Sequence, residues 1–187
     1  MRPLIAHIFV TLDGVAVPDA VIDTLAELRD VQEVTTPFFE RTAEEDAMLL
    51  GRITYQEWAD HWPGISGHPF ADHINTVPKY VVSTTLDRAP WGTGPDATVL
   101  SGDAVQEVER LKNQDGGPIG VHGSPSLVGS LTHAGLIDEL CLEIYPLLAG
   151  TGARLFPDGR PPKRLRLLAS HTTSNGVILT SYSNHPA

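Results

Sequence analysis

Short apolar runs alternate with segments of helical periodicity along the first two thirds of the chain. Residues 3–12 (PLIAHIFVTL) are almost continuously apolar and β-branched, as in a central strand covered on both faces. Three shorter apolar runs predict further strands: AMLL (47–50), YVVS (80–83) and ATVL (97–100). Helical spacing of apolar residues or helix-capping signals mark three segments between strands: 19–30, 53–61 and 103–112.

The last third of the chain changes from this alternation to a pair of adjacent strands. A short apolar strand at 119–121 precedes a helix that runs to Gly135, and ELCLEIYP (139–146) is a further strand. The segment 164–183 predicts a hairpin, and its Asn175-Gly176 pair favours a type I′ turn. Strands alternating with helices and a late hairpin indicate an α/β protein with a mixed, mainly parallel sheet and antiparallel strands at one edge.

The Pro- and Gly-rich pieces HWPGISGHPF (61–70) and APWGTGPD (89–96) are too short to separate two cores, so they are interpreted as loops. We expect one domain over residues 1–187.

Composition narrows the range of partners. The chain has 13 basic and 23 acidic residues, and its net charge of −10 repels phosphate backbones and anionic membranes. We therefore expect neither nucleic-acid binding nor membrane attachment. No apolar run approaches a membrane span and Met1 begins no secretory leader, which favours a cytoplasmic protein. The single Cys141 lies in a strand-like run and is interpreted as a buried structural thiol.

The helix that follows Gly123 begins in a way that suits an anion. Ser124 is a good N-cap and Pro125 a good first helical residue, since proline lacks only an N–H that would have no intrahelical partner. The free N–H groups of such a helix start can bind phosphate. The alternative interpretation is a well-capped helix with no ligand. Ligands of open α/β sheets bind beyond the carboxyl ends of the strands, and four residues follow such ends: Gly51, Ser83, Gly102 and Gly123.

Four motifs occur in order along the chain: LLGRITYQEW (49–58), PKYVVSTTL (78–86), VHGSPSLVGSL (121–131) and GLIDELCLEIYPLLAGTGARLF (135–156). Together they resemble the dihydrofolate-reductase-like family that includes the reductase domain of riboflavin biosynthesis. The resemblance covers about residues 2–182 and implies a three-layer α/β/α fold whose eight-stranded sheet binds NADPH across its strand ends.

The resemblance also implies cofactor-binding residues. Gly51, Arg52 and Thr54 match the segment that meets the cofactor phosphates, and Ser83 and Thr84 match the segment beside the adenosine. A third set matches the pyrophosphate loop: Gly123, Ser124, Pro125, Ser126 and Leu127. Arg52 directly follows a strand-end glycine, and its planar guanidinium suits the 2′-phosphate of NADPH.

The proton donor is the least determined part of the expected site. Asp13 and Glu40 are the acids nearest the expected cleft. Asp13 is equally interpreted as a turn residue that bonds its own backbone, and Glu40 as a solvated helix acid. Relatives similar to the riboflavin reductase usually carry a basic residue after the Asp-Gly turn. Val15 stands there in this chain, which argues against a phosphorylated ribose substrate.

Aromatic residues supply a candidate substrate wall, and the histidines do not form a metal motif. Phe38 and Trp62 are candidates for an apolar wall against a flat heterocycle. His61, His68 and His73 are spaced seven and five residues apart, which places no two of them on adjacent helical turns, so no metal is expected.

Two functions remain open. The first is an NADPH-dependent reductase of a small planar substrate that carries a C=N or C=O bond, such as a pterin or a pyrimidine. The second is a nucleotide-binding or ligand-sensing module that kept the fold without the chemistry. The apolar strands late in the chain, together with the resemblance, lead us to expect a homodimer.

Overall fold

The computed structural model describes residues 1–17, 19–29 and 31–185, and an eight-stranded sheet organises them. The strands are β1 (Leu4–Thr11), β2 (Val15–Val17), β3 (Ala47–Gly51), β4 (Lys79–Val82), β5 (Thr98–Leu100), β6 (Ile119–Val121), β7 (Glu139–Tyr145), β8 (Ala153–Arg154), β9 (Arg166–Thr172) and β10 (Ile178–Ser183). The α-helices are α1 (Ile22–Arg29), α2 (Gln32–Thr42), α3 (Arg52–His61), α4 (Pro69–Thr76), α5 (Ala104–Lys112) and α6 (Pro125–Ala134).

The large sheet has the strand order β5-β4-β3-β6-β1-β7-β10-β9. The strands from β5 to β7 are parallel to one another. Strand β10 runs antiparallel to β7, and β9 runs antiparallel to β10. The predicted mixed, mainly parallel sheet with an antiparallel hairpin at its edge is confirmed.

Helices cover both faces of this sheet. On one face, α5 and α6 pack their apolar residues against alternate positions of β1, β3 and β6 in one buried cluster. On the other face, aromatic residues of α2, α3 and α4 pack against Met48, Leu50 and Val81. Leu25 of α1 and Val34 of α2 form a smaller cluster with Tyr145. The architecture is therefore the three-layer α/β/α fold expected from the sequence.

A separate two-stranded sheet was not predicted. Strand β2 pairs antiparallel with β8, and Val15 pairs with Arg154. Both strands are too short to produce a periodic pattern in the sequence. Val15 is 1% exposed, so its side chain packs inside the protein rather than facing a ligand.

Two helices differ from the sequence expectations. Helix α4 begins at Pro69, inside the segment predicted as a loop, because proline is well tolerated in the first turn. Helix α2 contains Pro37 and several β-branched or aromatic residues, all of which lower intrinsic helix propensity. Burial of Val34 and partial burial of Phe38 stabilise α2 despite that propensity.

The edge hairpin is confirmed, but its predicted type I′ turn is wrong. A type I′ turn requires positive φ at both central residues, whereas Asn175 has none and only Gly176 does, with φ of 85°. The Thr173 N–H donates to Val177 O at 2.9 Å, and the Gly176 N–H donates to Thr173 O at 3.1 Å. This arrangement is a longer connection in which a turn is followed by a left-handed glycine.

Strand β9 forms one outer edge of the large sheet. All seven of its residues are exposed, including Leu167 at 52% and Leu168 at 44%. An exposed edge does not show whether two copies of the chain associate, so the homodimer remains a prediction. None of the helices in the described ranges is long and apolar enough to cross a membrane.

Candidate functional site

Four neighbouring strands bring the predicted ligand-binding segments to one edge of the sheet. Strands β5, β4, β3 and β6 lie side by side and parallel, so their carboxyl ends share that edge. Gly51 and Gly123 are in direct contact there, because the Gly51 N–H donates to Gly123 O at 2.8 Å. Helices α3 and α6 both begin at this point.

The β3–α3 and β6–α6 turns approach so closely that Gly51 has no room for a side chain. A Cβ on Gly51 would lie 2.8 Å from the Ser124 backbone nitrogen. Gly123 has φ of 120°, and a Cβ there would lie 2.9 Å from Oγ1 of Thr54. The Gly123–Ser124 peptide bond is cis. The two glycines therefore let two helix N-termini meet at one place.

A cleft of about 510 Å³ opens beside these helix N-termini. Four of the predicted cofactor residues line it: Thr54, Ser124, Pro125 and Ser126. Arg154 of β8 and Arg160, which follows β8 in the chain, also line the cleft and bring positive charge to it. Sequence reasoning missed both arginines, because β8 is two residues long and Arg160 lies in an irregular segment.

The other predicted cofactor residues differ in what they can offer a ligand. Arg52 is exposed at the first position of α3, and its guanidinium donates to Oε1 of Gln56 at 2.8 Å. Ser83 is buried, and its Oγ accepts from the N–H groups of Thr85 and Leu86, each at 3.2 Å. Thr84, beside it, is exposed. Ser83 therefore shapes the turn that presents Thr84.

Leu127 is 7% exposed and belongs to the hydrophobic core, so only its backbone can face the cleft. Ser124 and Pro125 start α6 as expected, and Gly135 ends it with φ of 82°. The expected capping bond of Ser124 is absent. Ser124 Oγ contacts Ser126 Oγ at 3.0 Å instead of accepting from a backbone N–H of the first turn. The orphan N–H groups of this turn are thus not satisfied by the Ser124 side chain.

The Asp13 carboxylate links the turn after β1 to the loop at residues 149–150. Its carboxylate accepts from Thr11 Oγ1 at 2.5 Å, from the Ala149 N–H at 3.1 Å and from the Gly150 N–H at 2.8 Å. These bonds, led by the one from Thr11, lower the pKa of Asp13 to about 2. A carboxylate that stays ionised and accepts three hydrogen bonds is a poor proton donor at neutral pH. The turn interpretation of Asp13 fits this geometry better than the catalytic one.

Glu40 is exposed on α2 and lines neither the cleft nor the aromatic pocket described next. Its neighbours Phe38 and Phe39 are only partly exposed and pack against the buried aromatic cluster. The solvated interpretation of Glu40 is the one that fits the structure.

A second cavity of about 310 Å³, which we call the aromatic pocket, lies on the same face of the sheet as α2, α3 and α4. Both predicted substrate-wall residues, Phe38 and Trp62, line it. Its other walls are His7, Phe9, Ala26, Arg29, Thr35, Phe39, Trp58, His68, Phe70 and His122. The Arg29 guanidinium lies 5.1 Å from the centre of the Phe38 ring and is about one-third exposed. The pocket thus combines flat apolar walls with a cation at its margin.

A buried carboxylate with two histidines lies at the base of the aromatic pocket, and sequence reasoning missed all three. Glu45 Oε2 accepts from Nε2 of His122 at 2.8 Å. Glu45 Oε1 lies 2.9 Å from Nε2 of His7, too far off line for a hydrogen bond. The two imidazoles stack with centroids 5.2 Å apart and planes 10° apart. We call these three residues the Glu45–His cluster.

The ionisation of the Glu45–His cluster follows from its burial and from the contacts among its three members. Burial opposes the charged form of Glu45, but the interactions with His122 and His7 outweigh it and lower the pKa of Glu45 to about 2. Burial lowers the pKa of His7, more than its contact with Glu45 raises it. The carboxylate is therefore charged, and His7 is neutral at pH 7.

The histidines considered for metal binding have other contacts. His61 packs against Trp62 with ring centroids 4.8 Å apart, and His68 packs against Phe39 at 5.3 Å. In the parts of the chain that the structure describes, no group of three or more His, Cys, Asp or Glu residues is placed to hold a metal ion.

Comparison with known proteins identifies the family and the fold. The family model for the RibD C-terminal domain matches residues 2–179. The Bacillus subtilis (strain 168) "Uncharacterized protein YyaP" is 26% identical over 187 residues, which cover 97% of this chain and 94% of that protein.

Two solved structures share the fold. A protein from Shewanella sp. PV-4, whose name assigns it to riboflavin biosynthesis, superposes with a TM-score of 0.77 at 21% identity, covering 97% of this chain and 98% of that one. A pyrimidine reductase-like protein from Corynebacterium diphtheriae NCTC superposes with a TM-score of 0.67 at 17% identity, covering 97% and 91%. The chain belongs to the RibD C-terminal domain family and has its dihydrofolate-reductase-like fold.

Proposed function

We propose that the protein is an NADPH-dependent reductase that transfers a hydride to a C=N or C=O bond of a small planar substrate of the pterin or pyrimidine class. The observation that carries this proposal is that the same two chain segments line both cavities. Thr54 and Trp58, one turn apart on α3, line the cleft and the aromatic pocket respectively. Ser124 and His122 do the same on the β6–α6 turn. A ligand in the cleft would thus lie next to one in the aromatic pocket.

The cleft has the donors that a dinucleotide requires. The N-terminus of α6 supplies N–H groups and the positive end of a helix dipole, and Arg154 and Arg160 supply cations. These local positive groups matter because the protein carries a net charge of −10. When bound, NADPH would supply the hydride, and the residues of the cleft would hold its phosphates and orient it.

The aromatic pocket suits a flat heterocycle of modest size. Its volume of about 310 Å³ lies at the small end of ligand cavities. Phe38, Trp58 and Trp62 offer ring faces and edges for stacking. Membership of the RibD C-terminal domain family, and the likeness to a pyrimidine reductase-like protein, support a substrate with such a ring.

The alternative is a nucleotide-binding or ligand-sensing module without catalysis. It draws support from the positions of Asp13 and Glu40, since neither expected acid lines the aromatic pocket.

Cofactor binding and turnover separate the two functions. The protein is titrated with NADPH and NADH while its tryptophan fluorescence is followed, and NADPH oxidation is then measured with pterins, dihydrofolate and pyrimidine precursors of riboflavin. Oxidation of NADPH in the presence of one of these compounds supports the reductase. Nucleotide binding without turnover of any compound favours the module without catalysis, and failure to bind either nucleotide contradicts the reductase.

Arg52 provides a test of the choice of cofactor. Loss of one charge-assisted contact costs about 1.5–3 kcal/mol, which is roughly a 10- to 150-fold loss of affinity. We expect Arg52→Ala to weaken NADPH binding by that factor and to leave NADH binding unchanged, because NADH lacks the 2′-phosphate. Arg110→Ala is the matched control, since Arg110 lies in the last turn of α5, away from the strand ends. Equal weakening of both cofactors would show that Arg52 does not bind the 2′-phosphate.

We also propose that two copies of the chain pair through the exposed β9 edge. Strand edges that display leucines tend to associate. Light scattering should give the mass of a dimer at micromolar concentration, and the mass of a monomer would contradict the pairing.

A further inference from the structure

A reductase that adds a hydride to a C=N or C=O bond must also deliver a proton to the nitrogen or oxygen. Asp13 and Glu40 do not line the aromatic pocket. The imidazole side chains around it, which are the common proton donors of enzyme sites, are His7, His68 and His122. The question of the proton donor therefore reduces to these three rings, provided that the proposed function is correct.

The sheet places two of these rings side by side. Ala6 pairs with Val121 in the parallel register of β1 and β6, so the residues that follow them, His7 and His122, are neighbours on the opposite face of the sheet. That face carries the aromatic pocket, whereas Ala6 and Val121 point into the α5–α6 side of the core. Two imidazoles on adjacent strands thus stack beneath the pocket.

Gly120 makes room for the carboxylate that serves both rings. A Cβ on Gly120 would overlap the carboxyl group of Glu45. Glu45 precedes β3 and is 3% exposed, so its carboxylate is covered by the sheet and by the layer of helices. A buried carboxylate is costly unless it is hydrogen-bonded and paired with a proton-bearing group. His122 meets this need through its 2.8 Å bond from Nε2.

The same bond fixes which nitrogen of His122 is free. Because Nε2 donates to Glu45, Nδ1 is the nitrogen left for a ligand, and the ring lines the aromatic pocket. Within the described ranges, Nδ1 of His122 has no hydrogen-bond partner in the protein. When both nitrogens carry protons, the negative charge of Glu45 compensates the positive charge of the ring.

The other two histidines are less suited to the role. His7 is neutral because burial lowers its pKa, and the positive charge of Arg41 lowers it further. His68 lies immediately before α4, and its buried Nδ1 has no hydrogen-bond partner that would fix the orientation of the ring. Groups that contact the His122 ring come from each surrounding element: His7 of β1, Glu45 before β3, Phe38 of α2, Trp58 of α3 and Phe70 of α4. Glu45 and His7 are the titratable ones in that set.

We propose that His122 is the proton donor of the reaction and that Glu45 is the residue that positions it. The hydride adds to the carbon of the C=N or C=O bond, and the π electrons of that bond move to the nitrogen or oxygen. That atom then takes the Nδ1 proton of doubly protonated His122. The ring is left neutral with its Nε2–H still bonded to Glu45, and it regains a proton from solvent water after the product leaves.

The test compares His122→Asn with the wild type on whichever compound the wild type reduces fastest. General acid catalysis contributes about 100- to 10,000-fold. We therefore expect kcat to fall by that factor, while KM for the substrate and binding of NADPH change little. The pH dependence of kcat should differ between the wild type and His122→Asn, because only the wild type has the ring that donates the proton. Glu45→Gln should retain part of the rate and shift the pH profile. His185→Asn, which changes an exposed histidine, is the control for the substitution itself.

Nitrogen-15 NMR of the histidine rings provides a readout that does not depend on turnover. In the wild type, His122 should have a protonated Nε2, and adding the oxidised heterocycle should shift its Nδ1 signal; the signal is assigned by its loss in His122→Asn. If His122→Asn does not fold, His122→Gln provides the same assignment.

The outcomes separate the inference from the proposed function. Turnover by the wild type with an unchanged rate in His122→Asn overturns the role of His122 and leaves the reductase in place. An Nδ1 signal that does not respond to a bound heterocycle also overturns that role. Absence of turnover by the wild type on every compound overturns both the reductase and its donor.

Discussion

The close contact between Gly51 and Ser124 allows a test of how closely the N-termini of α3 and α6 must pack. In Gly51→Ala, the new Cβ would lie 2.8 Å from the Ser124 backbone nitrogen and 3.1 Å from the Ser124 Cβ. Real Cβ atoms do not approach other atoms that closely, so the β3–α3 and β6–α6 turns must separate. Gly51 has φ of −77°, so the backbone itself accepts alanine and the clash is the main cost.

The size of the effect follows from the geometry. Overpacking of a well-packed site by one methyl group costs about 1–3 kcal/mol. For a domain of this length, each kcal/mol lowers Tm by roughly 2–4 °C, so Tm should fall by roughly 2–12 °C. Displacement of the α6 N-terminus should also weaken binding of NADPH and of NADH together, because both contain the pyrophosphate that this terminus is proposed to hold.

Thermal unfolding followed by circular dichroism and nucleotide titration give the two quantities. Gly64→Ala is the matched control, since a Cβ on Gly64 would meet nothing within 4 Å, and it should leave Tm and affinity close to the wild-type values. A Gly51→Ala protein with wild-type Tm would refute the inferred close packing. A lowered Tm with unchanged affinity for both nucleotides would place the pyrophosphate elsewhere.

Four further outcomes are expected. Asp103→Ala should lower the free energy of unfolding by about 1 kcal/mol in urea titrations, because Asp103 accepts from the Gln106 N–H at 3.1 Å. Ser124→Ala should change it by less than about 0.5 kcal/mol, since no cap bond is lost. Burial lowers the pKa of Lys79 to about 8, so the unfolded chain, with a lysine pKa of about 10.4, binds more protons between these values. The free energy of unfolding should therefore rise with pH from about 8 to about 10 relative to Lys79→Met, and parallel pH profiles would contradict this. Burial raises the pKa of Cys141 to about 12, so thiolate-directed reagents should modify it at pH 8 only in denaturant, and fast labelling of the folded protein would contradict this.

The order of elements could be predicted because the large sheet has short apolar strands that end at glycine or serine. The runs that form β1, β3 and β6 are largely buried, and none of them has a competing helical pattern. Helix α4 could not be predicted in the same way, because its proline and histidines resemble a loop until tertiary burial of Phe70 and Ile74 is known. The turn at Asn175 was wrong because the turn type depends on loop length as well as on the Asn-Gly pair.

Part of the site could be predicted and part could not. Thr54 and Ser124 line the cleft, and Phe38 and Trp62 line the aromatic pocket, as the motifs and residue types indicated. The Glu45–His cluster was missed because its members lie far apart in the sequence and meet only across two strands and a loop. A signal was present in His7, since a polar residue within an otherwise apolar, doubly covered strand requires a buried partner.

The central position of β1 has a consequence for how the chain acquires its structure during synthesis. Residues 4–11 are synthesised well before the neighbours of this strand in the sheet, which are β6 and β7. Those partners are made more than a hundred residues later. Until then an apolar strand is exposed on both of its hydrogen-bonding edges, and closing such a long loop is slow. Until β6 and β7 are made, β1 of the nascent chain therefore exposes unpaired strand edges of the kind that makes folding intermediates prone to aggregation.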